Sequence, residues 1–574
     1  MATTTAPTGW WMYHGDPAHS GYVGSGSAIT SDAIKSGRFQ TLHTLTMFGG
    51  PILSVPAVSD GFVYVGLANS RDYAGELGGS LLKVELQSGA IVHRFGWKIE
   101  LNARDTHGFC GMGSTPSVID GRVYFVGFNA KLYCLDAADL TLRWVTDLRN
   151  CDLAHNQPVQ TFDPHGDPFL EDPPAAGWSA PLVVGNRIYL GIGEGENPKL
   201  NSFVFCLDAD SGNVVWIFCT NQFVEGQPNP PNQLPAGVVD RATLPRQFTT
   251  YDPPMSTFGC SVWGCIAYDD KLQRLYCPTG NAQPDSILPT PGWSNGLLVL
   301  DAVSGAFKAF YQIPPQSNYR DSDIDVDVGA SPTLFDLGGR RVVGVGCKNG
   351  SFHVLDADTL APITWRQLLP MYGEGTPSPR QIDSVDRHPG PDQANAPNPR
   401  IANRISDDLA NQAENYSGIY STAAVHPPSR KIFVGIGGNN YHTVAPGIDT
   451  DTTPFMRALD YDTLADAWPT DTGDPKRYTK ARPPMYTNAT ESGLSSPAVV
   501  NDVVFMATTN VSVYAFSVAD GTMLWSDQLG EQSTGMNGGY GYCMGPAVCG
   551  DYVVAGGLVY GGDGGILRIY GLKP

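Results

Sequence analysis

Charged side chains and long apolar runs are both scarce in this sequence. Charged residues make up 16% of the 574 residues and hydrophobic residues 42%, while glycine (66) and proline (45) are abundant. This composition is typical of many short strands joined by turns, and it argues against long amphipathic helices and against disorder. No stretch of 18 or more apolar residues occurs, so the sequence predicts no membrane span.

Basic residues are also few. The formal net charge is −20, so the chain lacks a basic footprint for a phosphate backbone, and we expect no nucleic-acid partner. The first residues, MATTTAPTGWW, have neither the basic n-region nor the apolar h-region of a secretory signal. We therefore expect a periplasmic or secreted protein if a signal has been removed and a Met supplied, and a cytoplasmic protein otherwise.

The cysteine pattern contains neither CxxC nor CxxCH, which argues against a zinc ribbon and against a fused c-type haem domain. The eleven cysteines are an odd number, so at least one is unpaired within the chain. Cys543 and Cys549 are candidates for a bridge across a tight loop, and Cys110 with Cys151 is a weaker candidate. Strand-like runs contain several other cysteines, where we expect buried thiols, namely Cys134, Cys206, Cys277 and Cys347.

One pattern recurs along the whole chain: a strand, a Gly/Asp/Asn turn, a second strand ending in Gly, a third ending in Leu-Asp, and a closing strand with Trp. It is clearest in residues 495–525, SSPAVVNDVVFMATTNVSVYAFSVADGTMLW, and residues 114–144 repeat it. An Asp at the Leu-Asp corner can cap the next turn, and the Trp can pack between neighbouring sheets. Four strands per unit at this period predict a β-propeller.

The repeats predict an all-β fold, a single domain over residues 1–574 that forms an eight-bladed β-propeller of four-stranded antiparallel blades. The last segment supplies three strands, and residues 39–48 are predicted to add the fourth, so that the N- and C-terminal strands pair and close the ring. The blades are expected near residues 55–95, 114–147, 179–218, 261–311, 330–367, 419–468, 495–528 and 545–574.

Residues 258–284, FGCSVWGCIAYDDKLQRLYCPTGNAQP, are predicted to form a β-hairpin with Trp263 before its first strand and Asn281 after its second. Both ends of a hairpin lie at the same edge of a sheet, so we expect these two side chains to be close together. An indole face beside a side-chain oxygen suits a flat, polar, metal-bound ligand, and the alternative is a core Trp and a turn Asn. The sixth unit repeats the hairpin with Tyr420 in the place of Trp263.

These residues resemble the quinoprotein alcohol dehydrogenase family, whose members are eight-bladed propellers that hold pyrroloquinoline quinone (PQQ) and calcium near the axis. VWG followed by TGN resembles the family's stacking Trp and calcium-ligating Asn, which implies these roles for Trp263 and Asn281. DIDVDVGASP, residues 323–332, is similar to the DWDFGASP of the polyvinyl-alcohol-dehydrogenase branch. The shared GASP implies that Asp327 is the catalytic base and a metal ligand.

The resemblance extends to two further segments, and a third segment departs from the family pattern. CKNG implies that Lys348 hydrogen-bonds the quinone carbonyls and that Asn349 also contacts the cofactor. YLGIGEGEN resembles the segment with the calcium-ligating glutamate, and both Glu194 and Glu196 are candidates. GFCGMG places Cys110 alone where many family members have two adjacent cysteines, and we expect it to line the cofactor site.

The implied residues suit the implied chemistry. Calcium binds carboxylate and amide oxygens, and a bound cation together with Lys348 would polarise the quinone carbonyl. An aspartate can take the hydroxyl proton of an alcohol as hydride leaves for the quinone. We expect calcium rather than a lanthanide because GASP fixes the register; if Asp325 were the base, Asp327 would be the second acidic ligand associated with lanthanide-using relatives.

The resemblance therefore implies a PQQ-dependent alcohol dehydrogenase with a small or polymeric alcohol substrate and a separate electron acceptor, such as a c-type cytochrome. Two other functions stay open, since fold does not fix chemistry: a propeller without cofactor that acts as a binding scaffold, and a PQQ-independent enzyme that uses the same central pocket. We expect substrate choice to lie in long loops such as residues 370–414 and 535–545.

Overall fold

The computed structural model of the chain is built almost entirely of β-strands. It describes residues 9–47, 50–73, 76–98, 111–148, 177–193, 202–220, 258–280, 282–283, 293, 296–312, 328–348, 350–368, 419–436, 455–468, 495–508, 512–529, 545–559 and 564–573. The N-terminal part contains β1 (Gly9–Trp10), β2 (Tyr22–Val23), α1 (Ser31–Lys35) and β3 (Phe39–Met47). Within these ranges, no helix has the length and apolar character needed to cross a membrane.

Eight sheets then follow one another along the chain, and we number them blades 1 to 8. Blade 1 contains β4 (Ala57–Ser59), β5 (Phe62–Tyr73), β6 (Glu76–Glu85) and β7 (Ile91–Lys98). Blade 2 contains β8 (Ser117–Ile119), β9 (Arg122–Val126), β10 (Lys131–Asp136) and β11 (Leu142–Asp147). Blade 3 contains β12 (Leu182–Val184), β13 (Arg187–Ile192), β14 (Phe203–Asp208) and β15 (Val214–Cys219).

Blade 4 has a two-stranded ribbon beside its sheet. In chain order its strands are β16 (Phe258–Gly259), β17 (Ala267–Asp269), β18 (Arg274–Thr279), β19 (Ala282–Gln283), β20 (Gly296–Asp301) and β21 (Phe307–Gln312), with β16 and β19 forming the ribbon. Blade 5 contains β22 (Thr333–Leu337), β23 (Arg340–Gly346), β24 (Ser351–Asp356) and β25 (Pro362–Gln367).

The last three blades complete the set. Blade 6 contains β26 (Ala424–His426), a 3₁₀ turn (Pro427–Ser429), β27 (Lys431–Gly435) and β28 (Met456–Asp460), and an isolated bridge joins Leu459 to Asp466. Blade 7 contains β29 (Ala498–Val500), β30 (Val503–Ala507), β31 (Ser512–Ser517) and β32 (Met523–Gln528). Blade 8 contains β33 (Ala547–Cys549), β34 (Tyr552–Val559) and β35 (Gly564–Leu572).

The ring is closed by the two ends of the chain, and this confirms the predicted eight-bladed β-propeller. Strand β3 pairs antiparallel with β35, from Phe39 opposite Leu572 to Met47 opposite Gly565, so the N-terminal strand is the fourth strand of blade 8. We call the first strand of each blade its inner strand, which in blade 4 is β17. The inner strands of blades 8 and 1, β33 and β4, are in contact, which joins the last blade to the first. The largest apolar cluster lies at this closure and includes Val65, Phe505 and Leu567 from three different blades.

The Asp corners have the predicted capping geometry. In blade 3 the Asp208 carboxylate accepts a hydrogen bond from the Ser211 backbone N–H at 3.0 Å, and in blade 5 Asp356 accepts one from Thr359 at 2.7 Å. The closing-strand Trp216 packs against blade 4, where its indole N–H donates to the Ala302 carbonyl at 3.3 Å. Each corner therefore fixes a turn, and the Trp ties one blade to the next.

The thiols are only partly as predicted. Cys134, Cys206, Cys277 and Cys347 are buried thiols outside any disulfide, as expected of small apolar side chains. The candidate bridge between Cys543 and Cys549 is wrong, because Cys549 is a free thiol at the end of β33, where its sulfur packs against Gly9. Cys110 and Cys151 lie outside the described residues.

The N-terminal segment, residues 9–30, has a role that sequence reasoning missed. Its first strand, β1, pairs with β4 of blade 1. Its carbonyl groups then accept backbone hydrogen bonds from the second residue of the inner strand in blades 2, 4, 5, 6 and 7, at 2.7–2.9 Å. The donor and acceptor pairs are Val118 to Trp11, Tyr268 to Pro17, Leu334 to Ala18, Val425 to Ser20, and Val499 to Gly21. The segment therefore runs around the inner strands and links most of the ring.

Tyr13 projects from this segment into a polar collar around the axis. The collar residues each lie two positions before an inner strand, and they include Cys265, Ser331, Thr422 and Ser496. The Tyr13 hydroxyl is 2.7 Å from Thr422 Oγ1 and 3.2 Å from Ser496 Oγ. Burial raises the pKa of Tyr13 to about 12, so the hydroxyl stays protonated at neutral pH. Tyr13 thus links the N-terminal segment to blades 6 and 7 near the axis.

The closure of the ring can be tested at Phe39. This ring is buried and packs edge-on against Trp525 at 5.1 Å, with Phe505 at 5.4 Å. We expect Phe39→Ala to lower the free energy of unfolding by about 3–5 kcal/mol, because it removes a buried aromatic side chain at the seam. The measurement is guanidinium unfolding. The control is Thr44→Ala on the exposed face of β3, expected to change stability by less than about 0.5 kcal/mol. Equal losses in both variants would contradict this account of the seam.

A second test uses His19 of the N-terminal segment. His19 is buried with Nδ1 3.0 Å from the Pro332 carbonyl oxygen, and burial, with a smaller effect of His14, lowers its pKa to about 3. Because the ordinary pKa is about 6.5, the unfolded chain takes up a proton first as the pH falls, and stability drops by up to about 1.4 kcal/mol per pH unit. We expect His19→Asn to reduce the slope of unfolding free energy against pH between about pH 6 and pH 4.

Asn is chosen for this variant because it tolerates the left-handed backbone that His19 adopts, with φ 56°. The control is His93→Asn in the outer strand β7, where the side chain is partly exposed and the slope is expected to stay at its wild-type value. A His19→Asn protein with the wild-type slope would show that this histidine does not contribute to acid sensitivity.

Candidate functional site

Three side-chain positions in neighbouring blades share one register. Trp263, Gly329 and Tyr420 each lie four residues before the first residue of the inner strand in blades 4, 5 and 6. Equivalent offsets in a propeller place residues at the same height around the axis. We call these positions the axial layer, and blades 1, 2 and 3 contribute Leu53, Gly113 and Trp178 to it.

Lys348 reaches this layer from the end of the second strand of blade 5. Its Nζ lies 5.1 Å from the centre of the Trp263 ring and 5.3 Å from that of Tyr420. The two aromatic rings are 6.3 Å apart and inclined at 53°. An ammonium group at this distance from two aromatic faces is held by cation–π attraction to both rings.

Gly329 allows the three side chains to meet. A side-chain carbon at this position would lie 3.3 Å from Lys348 Cγ, from Trp263 Cη2 and from Tyr420 Cδ1. A larger residue would push the lysine and the two rings apart. Trp263, Tyr420 and Lys348 are each partly exposed, so the cluster presents one cation and two aromatic faces to a ligand.

The polar collar supports this cluster from below. Two residues after Trp263, the Cys265 backbone N–H donates to Ser331 Oγ at 2.8 Å, and Ser331 lies two residues after Gly329. In blade 6 the Thr422 backbone N–H, two residues after Tyr420, donates to Ser496 Oγ at 3.0 Å in the same way. Burial raises the pKa of the Cys265 thiol to about 12, so the collar carries no thiolate at neutral pH. The aromatic floor therefore rests on neutral, hydrogen-bonded residues.

Two of the sequence-predicted site residues are described by the structure. Trp263 and Lys348, from blades 4 and 5, lie together in the cluster. The predicted hairpin of blade 4 is also present, with Ala267 paired to Tyr276. The remaining predicted residues lie outside the described part of the chain: Cys110, Glu194, Glu196, Asn281, Asp327 and Asn349.

The structure adds Tyr420 and Gly329 to the site. Sequence comparison between the hairpins already aligned Tyr420 with Trp263, but that comparison assigned it no role. The signal that identifies both residues is the common offset from the inner strands. Among the residues that the structure describes, no group of three His, Cys, Asp or Glu side chains is arranged to hold a metal ion.

Comparison with known proteins identifies the relatives of this fold. Residues 168–370, which include Trp263 and Lys348, match the family model described as "Glucose/ethanol/alcohol dehydrogenase, beta-propeller domain". Residues 456–567 match the model described as "Outer membrane protein assembly factor BamB".

The curated relatives include a hydroxylase and a quinohemoprotein alcohol dehydrogenase. The lupanine 17-hydroxylase [cytochrome c] of a Pseudomonas species is 24% identical over 349 residues, which cover 58% of this chain and 45% of the relative. The quinohemoprotein alcohol dehydrogenase ADH IIB of Pseudomonas putida is 25% identical over 328 residues, covering 55% and 42%. The matched regions thus span under half the length of these relatives.

Solved structures share the whole fold. The quinohemoprotein alcohol dehydrogenase of Comamonas testosteroni superposes with a TM-score of 0.66 at 15% identity, covering 99% of this chain and 81% of that one. A europium-containing methanol dehydrogenase gives 0.66 at 16% identity, with 99% of both chains covered. The polyvinyl-alcohol branch is not distinguished and stays a prediction. The family model over residues 168–370 and the curated relatives show that this chain is similar to PQQ-dependent, or quinoprotein, alcohol dehydrogenases, and the solved structures show that it shares their eight-bladed fold.

Proposed function

We propose that this protein oxidises an alcohol with PQQ bound in the site formed by Trp263, Lys348 and Tyr420. The observation that supports it most strongly is the Lys348 ammonium held 5.1 Å from the Trp263 ring centre, with both groups partly exposed. PQQ is a flat quinone with several carboxylates, so an aromatic face beside a fixed cation fits both its shape and its charge. The small Gly329 keeps that face accessible.

PQQ, when bound, supplies the electrophilic carbonyl that accepts hydride from the alcohol carbon. Lys348 would hold a quinone carbonyl oxygen by a charge-assisted hydrogen bond, and its position between two rings pre-orients it for that role. Trp263 and Tyr420 would fix the plane of the cofactor. Asp327 is the proposed base that takes the hydroxyl proton of the alcohol.

Calcium is the proposed metal, with Asn281, Asp327 and a glutamate as ligands. The register of the described strands supports Glu194 rather than Glu196. In blade 3 the first residue of the inner strand pairs with Tyr189, and Gly193 lies four residues after Tyr189. In blade 4 the first residue of the inner strand pairs with Tyr276, and Gly280 lies four residues after Tyr276. The residues that follow these glycines, Glu194 and Asn281, therefore have the same offset in the two blades. A carboxylate and an amide oxygen from adjacent blades suit a hard cation.

The substrate is proposed to be a small or polymeric alcohol, and the electrons are proposed to pass to a separate acceptor such as a c-type cytochrome. Two relatives, a quinohemoprotein alcohol dehydrogenase and the lupanine 17-hydroxylase [cytochrome c], support this pairing of quinone and cytochrome by their names. A periplasmic or secreted location accompanies the proposal.

Cofactor affinity is expected to depend on Lys348. With calcium present, we expect the protein to bind PQQ at micromolar concentration or below, and Lys348→Gln to raise the Kd by about 10- to 100-fold through loss of a charged hydrogen bond. Lys348→Arg, which keeps the positive charge, should raise the Kd for PQQ by a smaller factor. The readout is an absorption or fluorescence titration with PQQ, and Lys308→Gln, whose ammonium pairs with Asp301 at 3.1 Å on an outer strand, is the matched control.

A wild-type protein that fails to bind PQQ at micromolar concentration would overturn the proposed function and favour the cofactor-free scaffold. Binding that Lys348→Gln leaves unchanged would instead retain the quinone and remove Lys348 from its site.

Substitutions at residues 323–327 separate the proposed base from its neighbours. We expect Asp327→Asn to lower the rate of alcohol-dependent dye reduction by about 10²- to 10⁴-fold, because general-base catalysis is lost, while PQQ still binds. Asp323→Asn is the matched control and should keep wild-type activity. Loss of activity in Asp325→Asn, with Asp327→Asn active, would assign the base to Asp325 and contradict the register taken from GASP.

A further inference from the structure

Blade 2 contains an apolar cluster with the same layout as the site in blade 5. In blade 2, Tyr124 pairs with the first residue of β8, and Phe128 lies four residues after Tyr124. In blade 5, Gly344 pairs with the first residue of β22, and Lys348 lies four residues after Gly344. Each side chain packs over a glycine of the axial layer, Phe128 over Gly113 and Lys348 over Gly329. Phe128 is therefore the structural counterpart of the lysine.

The neighbours of the two side chains correspond as well. Trp178 in blade 3 packs against Phe128, with ring centres 4.7 Å apart in an edge-to-face arrangement, and it occupies the position that Tyr420 holds beside Lys348. Leu53 in blade 1 packs in the same apolar cluster, in the position that Trp263 holds at the other site. One layer thus contains a cationic cluster in blades 4 to 6 and an apolar one in blades 1 to 3.

Trp178 is the side chain of the apolar cluster that is open to a ligand. Phe128 and Leu53 are buried, whereas Trp178 is partly exposed. Phe128 meets the indole edge-to-face, and Gly113 leaves room for both rings. An aromatic face supported in this way is a fixed apolar surface, which suits a hydrocarbon rather than a charged or heavily hydroxylated group.

Trp178 and Trp263 hold the same axial-layer position in adjacent blades, so the apolar surface continues the floor of the proposed cofactor site. We propose that Trp178, backed by Phe128 and Leu53, is the wall on which the carbon skeleton of the alcohol packs, and that the enzyme therefore selects alcohols with an extended apolar substituent. This inference rests on the proposed function.

The test is the dependence of kcat/KM on chain length. With PQQ, calcium and an artificial dye, we expect kcat/KM of the wild type to rise from ethanol through 1-butanol to 1-octanol, by up to about fourfold per methylene that reaches the wall. Trp178→Ala should raise KM for 1-octanol by about tenfold or more and KM for ethanol by a much smaller factor, because the ethanol chain is too short to cover the wall. Trp178→Phe keeps an aromatic face and is used if the alanine variant does not fold. It should lower the ratio of kcat/KM for 1-octanol to kcat/KM for ethanol by a smaller factor than Trp178→Ala does.

The matched control is Trp144→Ala, which removes an indole from the outer strand β11 and should leave the chain-length dependence unchanged. The Kd for PQQ is measured for every variant. A flattened dependence with unchanged PQQ affinity supports the inference. A Trp178 variant that binds PQQ about tenfold more weakly and loses all alcohols equally overturns it, because Trp178 then belongs to the quinone site.

A wild type that is active but equally efficient with all three alcohols also overturns the inference, and it leaves the dehydrogenase function standing. A wild type that binds no PQQ overturns both.

Discussion

The pairing of β3 with β35 is the interaction on which the rest of the molecule depends. A row of eight sheets has two free edges, and each sheet buries its faces against its neighbours, so an open row would leave strand edges and apolar faces exposed. The hydrogen bonds between Phe39 and Leu572 and their successors convert that row into a ring. Because the ring is closed, the inner strands meet around one axis, and residues at a common offset from those strands form layers.

Layering explains how a chemically mixed site arises from a repeated scaffold. Blades 2 and 5 offer the same two positions near the axis, one before the inner strand and one after the second strand. Small residues at one position, such as Gly113 and Gly329, make room for large residues at the other, Phe128 and Lys348. The repeat therefore supplies the geometry, and single substitutions within it decide whether a sector of the axis is cationic or apolar.

The fold was predictable from the sequence because its signals are local and repeated. The Leu-Asp corner, capped as at Asp208, recurs in successive blades. The last blade lacks a strand, and residues 39–48 are an N-terminal strand that can supply it and close the ring. The site was predictable only in part. Trp263 and Lys348 stand in recognisable segments, but the role of Tyr420 depends on a register between blades that is visible only once the strands are paired. The choice between Glu194 and Glu196 depends on the same register.

Two features escaped the sequence for physical reasons. The N-terminal segment bonds to five inner strands through its backbone carbonyls, and backbone bonds leave no side-chain pattern to read. The Cys543–Cys549 candidate rested on sequence spacing, but β33 and Gly9 hold Cys549 as a packed, free thiol. Backbone partners and strand direction are properties of the assembled ring rather than of any short stretch.

The N-terminal segment also constrains the order in which the molecule can assemble. Residues 9–23 form hydrogen bonds with residues as distant in sequence as Val499, and Phe39 can pair only after Leu572 has been synthesised. Contacts at such separations carry a large loop-closure entropy and are formed late in folding. During synthesis the segment emerges first, yet it acquires its last inner-strand partner only when blade 7 is made. The axis beneath the site is therefore completed near the end of folding, and individual blades would form before the floor of Trp263 and Tyr420 is in place.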